Sequence, residues 1–203
     1  MNKDQLLKKR YRAEKRFKFY GFVSITLAIL FVIFLVNVIF SKGRTAFQRT
    51  TIAVEVNFNT EELELSSNAS IEEIQDADFY DLSINSLLKL YKTEGAKQEK
   101  ELLRVFSPDH DIEIKNFLIK NLDNLNKNVI VNLTTSDDID QLHKGNYPRH
   151  LPEERRRISD FQLLIYDQLV KENKVNKVFN TFFFTNGDSR NPEVAGIGGS
   201  LFG

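Results

Sequence analysis

Three carboxylates in the segment TSDDID are the first residues of this chain whose types and spacing could support chemistry. Asp137, Asp138 and Asp140 could together bind a hard cation such as Ca²⁺, which prefers oxygen ligands. An EF-hand loop that began at Asp137 would need Gly at its sixth position and Glu at its twelfth, where this chain has Leu142 and Pro148. Carboxylates are also favoured in the first turn of a helix, because they complement the helix dipole. We therefore predict a helix start here and no metal site.

Two further segments contain residue types found in hydrolases. Residues 109–111 read Asp-His-Asp, and residues 188–189 read Asp-Ser. The serine lacks the G-x-S-x-G context of a nucleophile elbow, and the histidines lie in polar, loop-like sequence. The chain has no cysteine, which excludes a thiolate nucleophile and thiolate metal ligands. We predict that the protein is not an enzyme and has no catalytic residues.

Glycines and arginines offer two other possible ligand sites. The sequence GIGGS at 196–200 lacks the lysine and the spacing of a phosphate-binding P-loop, so we interpret it as a flexible segment and predict no cofactor. Arg155, Arg156, Arg157 and Arg190 could pair with an oxyanion. Basic residues on a charged surface usually face water, and we expect these four to do so.

An apolar stretch at residues 19–41 precedes all of these segments and determines where they lie relative to a membrane. It carries no charge over 23 residues, and 15 of the 19 residues at 22–40 are Phe, Val, Ile or Leu. At about 1.5 Å per residue, a helix of this length crosses a hydrocarbon core of about 30 Å. The stretch is too long for a cleaved signal peptide, and no small-residue cleavage site follows it. The sequence predicts a transmembrane helix at 19–41.

Charge on either side of this stretch indicates its orientation. Residues 1–18 contain eight basic and two acidic residues, a net charge of +6, so the neutral chain has −6 on residues 42–203. By the positive-inside rule the N-terminus is cytosolic and the rest is outside. The basic arm is interpreted as a contact for membrane lipid rather than for nucleic acid. The domain outside is expected in a bacterial periplasm, anchored in the inner (plasma) membrane.

Small residues recur on one face of the predicted transmembrane helix. Gly21, Ser24 and Ala28 are spaced by three and four residues, so they share that face. If another helix packs against this one, we expect it to pack there.

Helical and strand patterns interleave after the membrane, which predicts an α+β (mixed) extracytoplasmic domain. Alternation of apolar and polar residues predicts a strand at 51–59, and Val129 to Leu133 reads as a short buried strand. A long helix is predicted at 153–173. The other predicted elements are helices at 79–92, 97–106, 112–125 and 137–144, the last capped by Ser136, and an aromatic strand at 178–185. The side of the long helix that is predicted to face the core contains Ile158, Phe161, Leu164, Ile165 and Leu169.

Four motifs resemble one known family. They are AEKRFKFYG at 13–21, SDDIDQLHKG at 136–145, RRISD at 156–160 and FNTFFFTNGDSRNPEVAGI at 179–197. Together they resemble the N-terminal extension of PstA permease subunits of bacterial phosphate ABC transporters, in the version that carries a domain of unknown function. The last motif is the most specific of the four, through Phe179, Asn180, Gly187, Asp188, Ser189, Arg190, Pro192 and Gly196.

The resemblance implies a domain organisation and a set of partners. It implies a cytosolic arm at 1–18, a transmembrane helix at 19–41, a periplasmic domain at 42–196, and at 197–203 a stub that leads into a permease core absent from these residues. The implied partners are a second permease subunit, an ATP-binding subunit and a periplasmic phosphate-binding protein. Without the core the chain is not expected to transport phosphate by itself. The alternative is a stand-alone bitopic scaffold or sensor of the cell envelope.

Overall fold

The structure is a computed structural model that describes residues 3–66 and 68–202. Residues 1, 2, 67 and 203 lie outside the described residues, and with them the outer ends of the predicted arm and of the predicted stub. The chain divides into two units, Met1–Thr45 and Ala46–Gly203.

The first unit contains one long helix, α1 (Lys3–Gly43). It includes the whole apolar stretch, and an ion pair of 2.7 Å joins Lys18 to Glu14 one turn away in the basic part. The helix is long and apolar enough to cross a membrane, with a mean hydropathy of 2.9 in its most apolar window. That criterion uses length and composition only, so the crossing and its orientation stay predictions. Gly21, Ser24 and Ala28 are exposed along α1, and their role in helix packing stays a prediction too.

The second unit is an α+β domain with a small sheet. In the part of the chain that the structure describes, three strands form this sheet in the order β2-β1-β3, with both neighbours antiparallel to the central strand. The strands are β1 (Gln48–Asn57), β2 (Asn128–Thr134) and β3 (Val175–Phe179). The predicted strand at 51–59 is confirmed, with a start three residues earlier.

Short helices accompany the sheet, and several of them pack on one of its faces. In chain order they are α2 (Ile71–Asp76), α3 (Tyr80–Leu88), α4 (Ala96–Leu103), α5 (His110–Lys120), α6 (Asp137–His143), α7 (Asp160–Lys171), α8 (Phe182–Thr185) and α9 (Gly198–Phe202), with 3₁₀ turns at Arg44–Phe47, Leu122–Asn124 and Glu153–Arg155.

The core lies between this helical layer and the sheet. Alternate residues of β1 point into it, so Ile52, Val54 and Val56 are fully buried while Glu55 faces solvent. The helices contribute buried Leu and Ile side chains, which gives the domain a hydrophobic core of its own. The opposite face of the sheet is open, and Ile130 of β2 is 65% exposed there. The prediction that residues 129–133 are buried is therefore correct for one face of the strand only.

Two predicted elements are wrong in part. The helix predicted at 153–173 begins only at Asp160, because Ser159 caps it there with a capping box to Gln162. On this helix Leu164 is 53% exposed, contrary to its predicted core position. The strand predicted at 178–185 ends at Phe179, and residues 182–185 form α8 instead.

Candidate functional site

The start of β1 and the end of β3 lie side by side in the sheet. Gln48, the first residue of β1, pairs with Phe179, the last residue of β3. Asn180 extends this contact, since its backbone N–H donates to the carbonyl of Phe47 (2.9 Å) and its side-chain amide donates to the carbonyl of Ala46 (3.2 Å). The start of the domain therefore lies beside the end of the last strand of its sheet. We name this region the strand-junction site.

Aromatic rings surround the strand-junction site. Phe47 packs edge-on against Phe183 at a centroid distance of 5.5 Å and stacks on Phe184 at 6.0 Å. Phe179 stacks on Phe184 at 5.8 Å. Each of these ring pairs stabilises the packing of α8 against Phe47 and Phe179 by about 0.5–1.5 kcal/mol. Phe179 is nevertheless 61% exposed, so the site keeps an apolar surface toward solvent.

The segment after α8 folds back on α8 through its backbone. Gly196 donates to the carbonyl of Gly187 (2.9 Å), and Ile197 donates to that of Phe183 (2.8 Å). The amide of Asn186 donates to the carbonyl of Val194 (2.8 Å). A side chain at Gly196 would collide with the backbone oxygens of residues 182 and 186, so only glycine permits this approach. The segment predicted to be a flexible stub is held at its start by these bonds and continues into α9.

The eight residues of the resemblance motif take different places in this arrangement. Phe179 and Asn180 form the strand junction, whereas Gly187 and Gly196 form the backbone contact just described. The side-chain oxygen of Ser189 accepts a hydrogen bond from the backbone of Asn191 (3.2 Å). The other three lie at the surface or at a cavity wall: Asp188 and Arg190 are exposed, and Pro192 lines a cavity of about 170 Å³.

A half-buried ion pair lies next to the strand-junction site. Arg49 of β1 lies over the ring of Phe182, with 3.9 Å between the guanidinium carbon and the ring centroid. Its Nη1 donates to the hydroxyl of Thr134 and is 3.9 Å from Glu113 of α5. The other carboxylate oxygen of Glu113 accepts from the backbone N–H of Thr134 (2.9 Å). Burial lowers the pKa of Arg49 and raises the pKa of Glu113, because it disfavours the charged form of each.

No pattern in the sequence singles out Arg49 or Glu113. The sequence shows only that Arg49 is a basic residue next to the inward-facing Thr50 at the start of β1. The register of α5 does not indicate that Glu113 is its partner. The two residues are 64 positions apart, and only the packing of α5 on the sheet brings them together.

The three carboxylates of TSDDID have separate structural roles. Asp140 accepts from the backbone and the hydroxyl of Thr50 (2.9 and 2.8 Å), and its second oxygen is 2.5 Å from Lys144. Asp138 accepts from the hydroxyl of Tyr147 (2.9 Å). The helix predicted at 137–144 is confirmed as α6, but Ser136 makes no side-chain capping bond to it. Among the described residues, no group of three or more His, Asp or Glu side chains could hold a metal ion.

The histidine and serine of the hydrolase-like segments are not joined. His110 begins α5 with a buried ring, and burial lowers its pKa. Its Nδ1 has no hydrogen-bond partner among the described residues. Asp109 instead accepts from the side chain of Asn191 (3.1 Å), which links α5 to the segment that contains Ser189. This contact holds two elements together and activates no nucleophile.

A family model described as "Domain of unknown function (DUF3333)" matches residues 4–153, which is more than half of the chain. No curated protein and no solved structure matches the chain.

Proposed function

The chain belongs to the DUF3333 family, and from that premise we propose that it is the N-terminal, membrane-anchored portion of a PstA-like permease subunit of a bacterial phosphate ABC transporter. In this proposal α1 anchors the chain in the inner membrane with its N-terminus in the cytosol. Residues 42–196 form a periplasmic domain. Phosphate passes through further helices of the complete subunit, and the periplasmic domain presents the phosphate-binding protein or stabilises the pair of permease subunits.

The strand junction is the observation that carries the proposal. A domain inserted between two transmembrane helices must return the chain to the membrane near the point of departure. Pairing of Gln48 with Phe179, together with the two bonds from Asn180, brings the start of the domain beside the end of its last strand, and the bond from Ile197 to Phe183 holds the following segment on α8 next to that point. A receptor domain on a single anchor has no need of this arrangement.

Two features of the sequence support the same reading. Phe47 follows the end of the apolar stretch by only six residues, and its aromatic partners include Phe183 and Phe184. The motif at 179–197, which carries the resemblance most specifically, supplies most of this junction.

The alternative, a bitopic scaffold or sensor of the cell envelope, rests on a different observation. Residues 46–203 have their own hydrophobic core, so the domain needs no permease helices in order to bury its apolar side chains. Translating the gene in frame beyond the Gly203 codon separates the two readings. Further apolar spans with a cytosolic loop support the permease subunit, whereas a stop codon favours the scaffold or sensor.

The role of the domain is tested in the complete subunit. Residues 48–179 are replaced by a short Gly-Ser linker, because residues 47 and 180 are already hydrogen-bonded and need little chain to join them. We expect the shortened subunit to reach the membrane but to lose phosphate uptake, or to lose copurification with its partner subunit or the binding protein. The control is the complete subunit with Gly187→Ala, where a new Cβ meets nothing within 4 Å. Unchanged uptake and unchanged copurification would contradict the proposed role.

A further inference from the structure

A cavity of about 210 Å³ lies between α6 and α7, beside the loop that connects them. Four arginines line its wall: Arg149, Arg155, Arg156 and Arg157. Among the described residues, no Asp or Glu lines this wall. We name it the arginine cavity. The wall itself is therefore basic, although three of its four arginines pair with carboxylates behind it and the domain as a whole is acidic.

Arg156 is the unusual member of this group. Its side chain is only 9% exposed, which contradicts the expectation from sequence that it faces water, as was also expected of Arg155, Arg157 and Arg190. Nη2 pairs with the carboxylate of Asp160, but Nε and Nη1 are buried without a hydrogen-bond partner among the described residues. Buried donors of this kind are rare in folded proteins, because each loses its bonds to water without replacement. Both nitrogens are closed to solvent in this structure, and Arg156 lines the cavity, so a small rotation of the guanidinium toward a bound ligand would give them the acceptor that they lack.

Two of the other three arginines are held in place by carboxylates outside the wall. Arg149 donates to both carboxylate oxygens of Asp167, at 2.5 and 2.6 Å. Arg157 is 3.7 Å from Asp138. Neither carboxylate lines the cavity. These ion pairs orient the guanidinium groups before any ligand arrives, which lowers the cost of binding.

The remaining wall residues limit the size of the ligand. Leu142, Ile158 and Leu163 give the cavity an apolar part, and Pro148 narrows it beside the loop. Its volume is below the roughly 300–1,000 Å³ of ordinary ligand pockets but well above the approximately 30 Å³ of one water molecule. The space suits a group of a few heavy atoms.

We propose that the arginine cavity binds a small oxyanion through a phosphate, sulfate or carboxylate group, with Arg156 as the principal ligand. A guanidinium presents several donors in a fixed fork, which matches the oxygens of such groups better than an ammonium does. The same chemistry is offered by a free anion and by the phosphate of a lipid headgroup. This inference does not rest on the proposed function, because it uses only the cavity and its side chains.

The test uses the full chain in maltoside detergent, which contributes no phosphate. Inorganic phosphate, sulfate and acetate are each titrated at constant ionic strength, with chloride as the reference, and binding is followed by calorimetry and by the thermal midpoint. We expect at least one of the three to raise the midpoint above the chloride value. Arg156→Gln should weaken that binding at least tenfold, and Arg156→Lys should also weaken it because the fork is lost.

Two further variants keep the test decisive. Arg104→Gln removes an exposed arginine that does not line the cavity, and binding should stay within twofold of the original chain. Leu163→Phe fills the cavity without changing its charge, so it should abolish binding even if Arg156→Gln fails to fold. The proposal is overturned if no anion exceeds chloride, or if Arg156→Gln and Leu163→Phe bind as well as the original chain.

A lipid arm identifies the source of the anion. Short-chain phosphatidylglycerol is added to the micelles, and the phosphate titration is repeated. If phosphatidylglycerol weakens phosphate binding to the original chain and raises its thermal midpoint, but leaves the midpoint of Arg156→Gln unchanged, the cavity is assigned to a headgroup phosphate. Phosphate binding that phosphatidylglycerol leaves unchanged assigns it to a free oxyanion.

Discussion

Arg49 and Glu113 show at the scale of single residues how this domain balances charge against burial. They are opposite charges in a poorly hydrated place, yet their nearest atoms are 3.9 Å apart, longer than a hydrogen bond. Burial is the largest influence on both, and it disfavours the charged form of each residue more than their mutual attraction favours it. The pair therefore fixes α5 on the sheet through specific contacts rather than through a large net gain in stability.

Glu113→Gln should change how stability depends on pH. Because burial raises the pKa of Glu113 above its ordinary value of 4.5, the folded chain keeps a proton that the unfolded chain has already lost. The free energy of unfolding therefore falls as the pH rises from 4.5 through the folded pKa. Glutamine at this position can keep the bond to Thr134 and has no such dependence, so the stability of the variant relative to the original chain should increase with pH across this window.

Urea unfolding of the full chain at a series of pH values measures this difference. Glu55→Gln is the control, since Glu55 faces solvent on the open side of the sheet. If the difference in stability between the Glu113→Gln variant and the original chain stayed constant with pH, the carboxyl would not titrate as its burial requires.

Gly196→Ala should release the segment after α8. The new Cβ would lie 2.7 Å from the backbone oxygen of Asn186 and closer still to that of Phe182, and neither oxygen can move without breaking the turn. We expect the free energy of unfolding to fall by about 1–3 kcal/mol or more, which is the range seen for overpacked sites. Limited proteolysis should cut the variant after residue 185. Gly187→Ala is the matched control because its Cβ meets nothing within 4 Å, and equal protease resistance of the two variants would count against the close approach.

Single residues were predictable from sequence where their partners are local. The carboxylates of TSDDID were assigned to a helix start, and Asp137, Asp138 and Asp140 indeed lie in the first turn of α6. The contact of Asp140 with Thr50 joins residues 90 positions apart, and no spacing rule indicates it. Arg156 was expected to face water for the same reason: its burial depends on how the loop before α7 folds over α6.

Helix α7 shows at the scale of elements how capping decides where a helix begins. Apolar and charged residues continue a helical pattern back to residue 153, which is why the sequence predicts a longer helix. The chain instead forms a 3₁₀ turn at Glu153–Arg155 and starts the α-helix after Ser159. Ser159 also donates to the carboxylate of Glu101 in α4 (2.6 Å), so the cap joins two helices.

Ser159→Ala should therefore lower the free energy of unfolding by more than the loss of a helix cap alone would. Removing a serine cap costs about 0.5–2 kcal/mol, and a hydrogen bond to a charged group adds about 1.5–3 kcal/mol. Ser70→Ala is the control, because Ser70 forms the same capping box at exposed α2. We expect the cost for Ser159 to exceed that for Ser70 by about 1 kcal/mol or more in chemical unfolding. Equal costs would mean that the bond to Glu101 contributes nothing.

The aromatic run after β3 illustrates a limit of pattern reading. Residues 178–185 have the composition of a strand, since Phe and Val favour extended structure. The strand ends at Phe179 because Asn180 bonds to residues 46 and 47 at the start of the domain, and the chain then turns into α8. Local propensity gave the type of the first residues correctly, whereas the end of the strand depends on a partner far away in the sequence.

At the scale of the whole molecule, the sequence was sufficient to predict a long apolar helix followed by an α+β domain. Charge and hydropathy are carried by consecutive residues, so the division near residue 42 can be read directly. The order of the strands cannot, because β1 lies between the two strands that come later in the chain. That order is what brings the two ends of the domain together at the strand-junction site.

A disulfide across the strand junction should form readily and stabilise the domain. Opposed residues of an antiparallel pair have Cα atoms about 4.5–5.5 Å apart, which is within the disulfide range, and the chain has no cysteine to compete. Gln48→Cys with Phe179→Cys should therefore oxidise in the folded chain and raise the free energy of unfolding by about 2–4 kcal/mol, because it closes nearly the whole domain into one loop. Gln48→Cys with Asn176→Cys is the control: Asn176 pairs with Thr51, three residues along the strand, so its Cα lies roughly 10 Å from that of Gln48. If the first pair oxidised no faster than the second, the two ends of the domain would not be neighbours, and the main support for an inserted periplasmic domain would be lost.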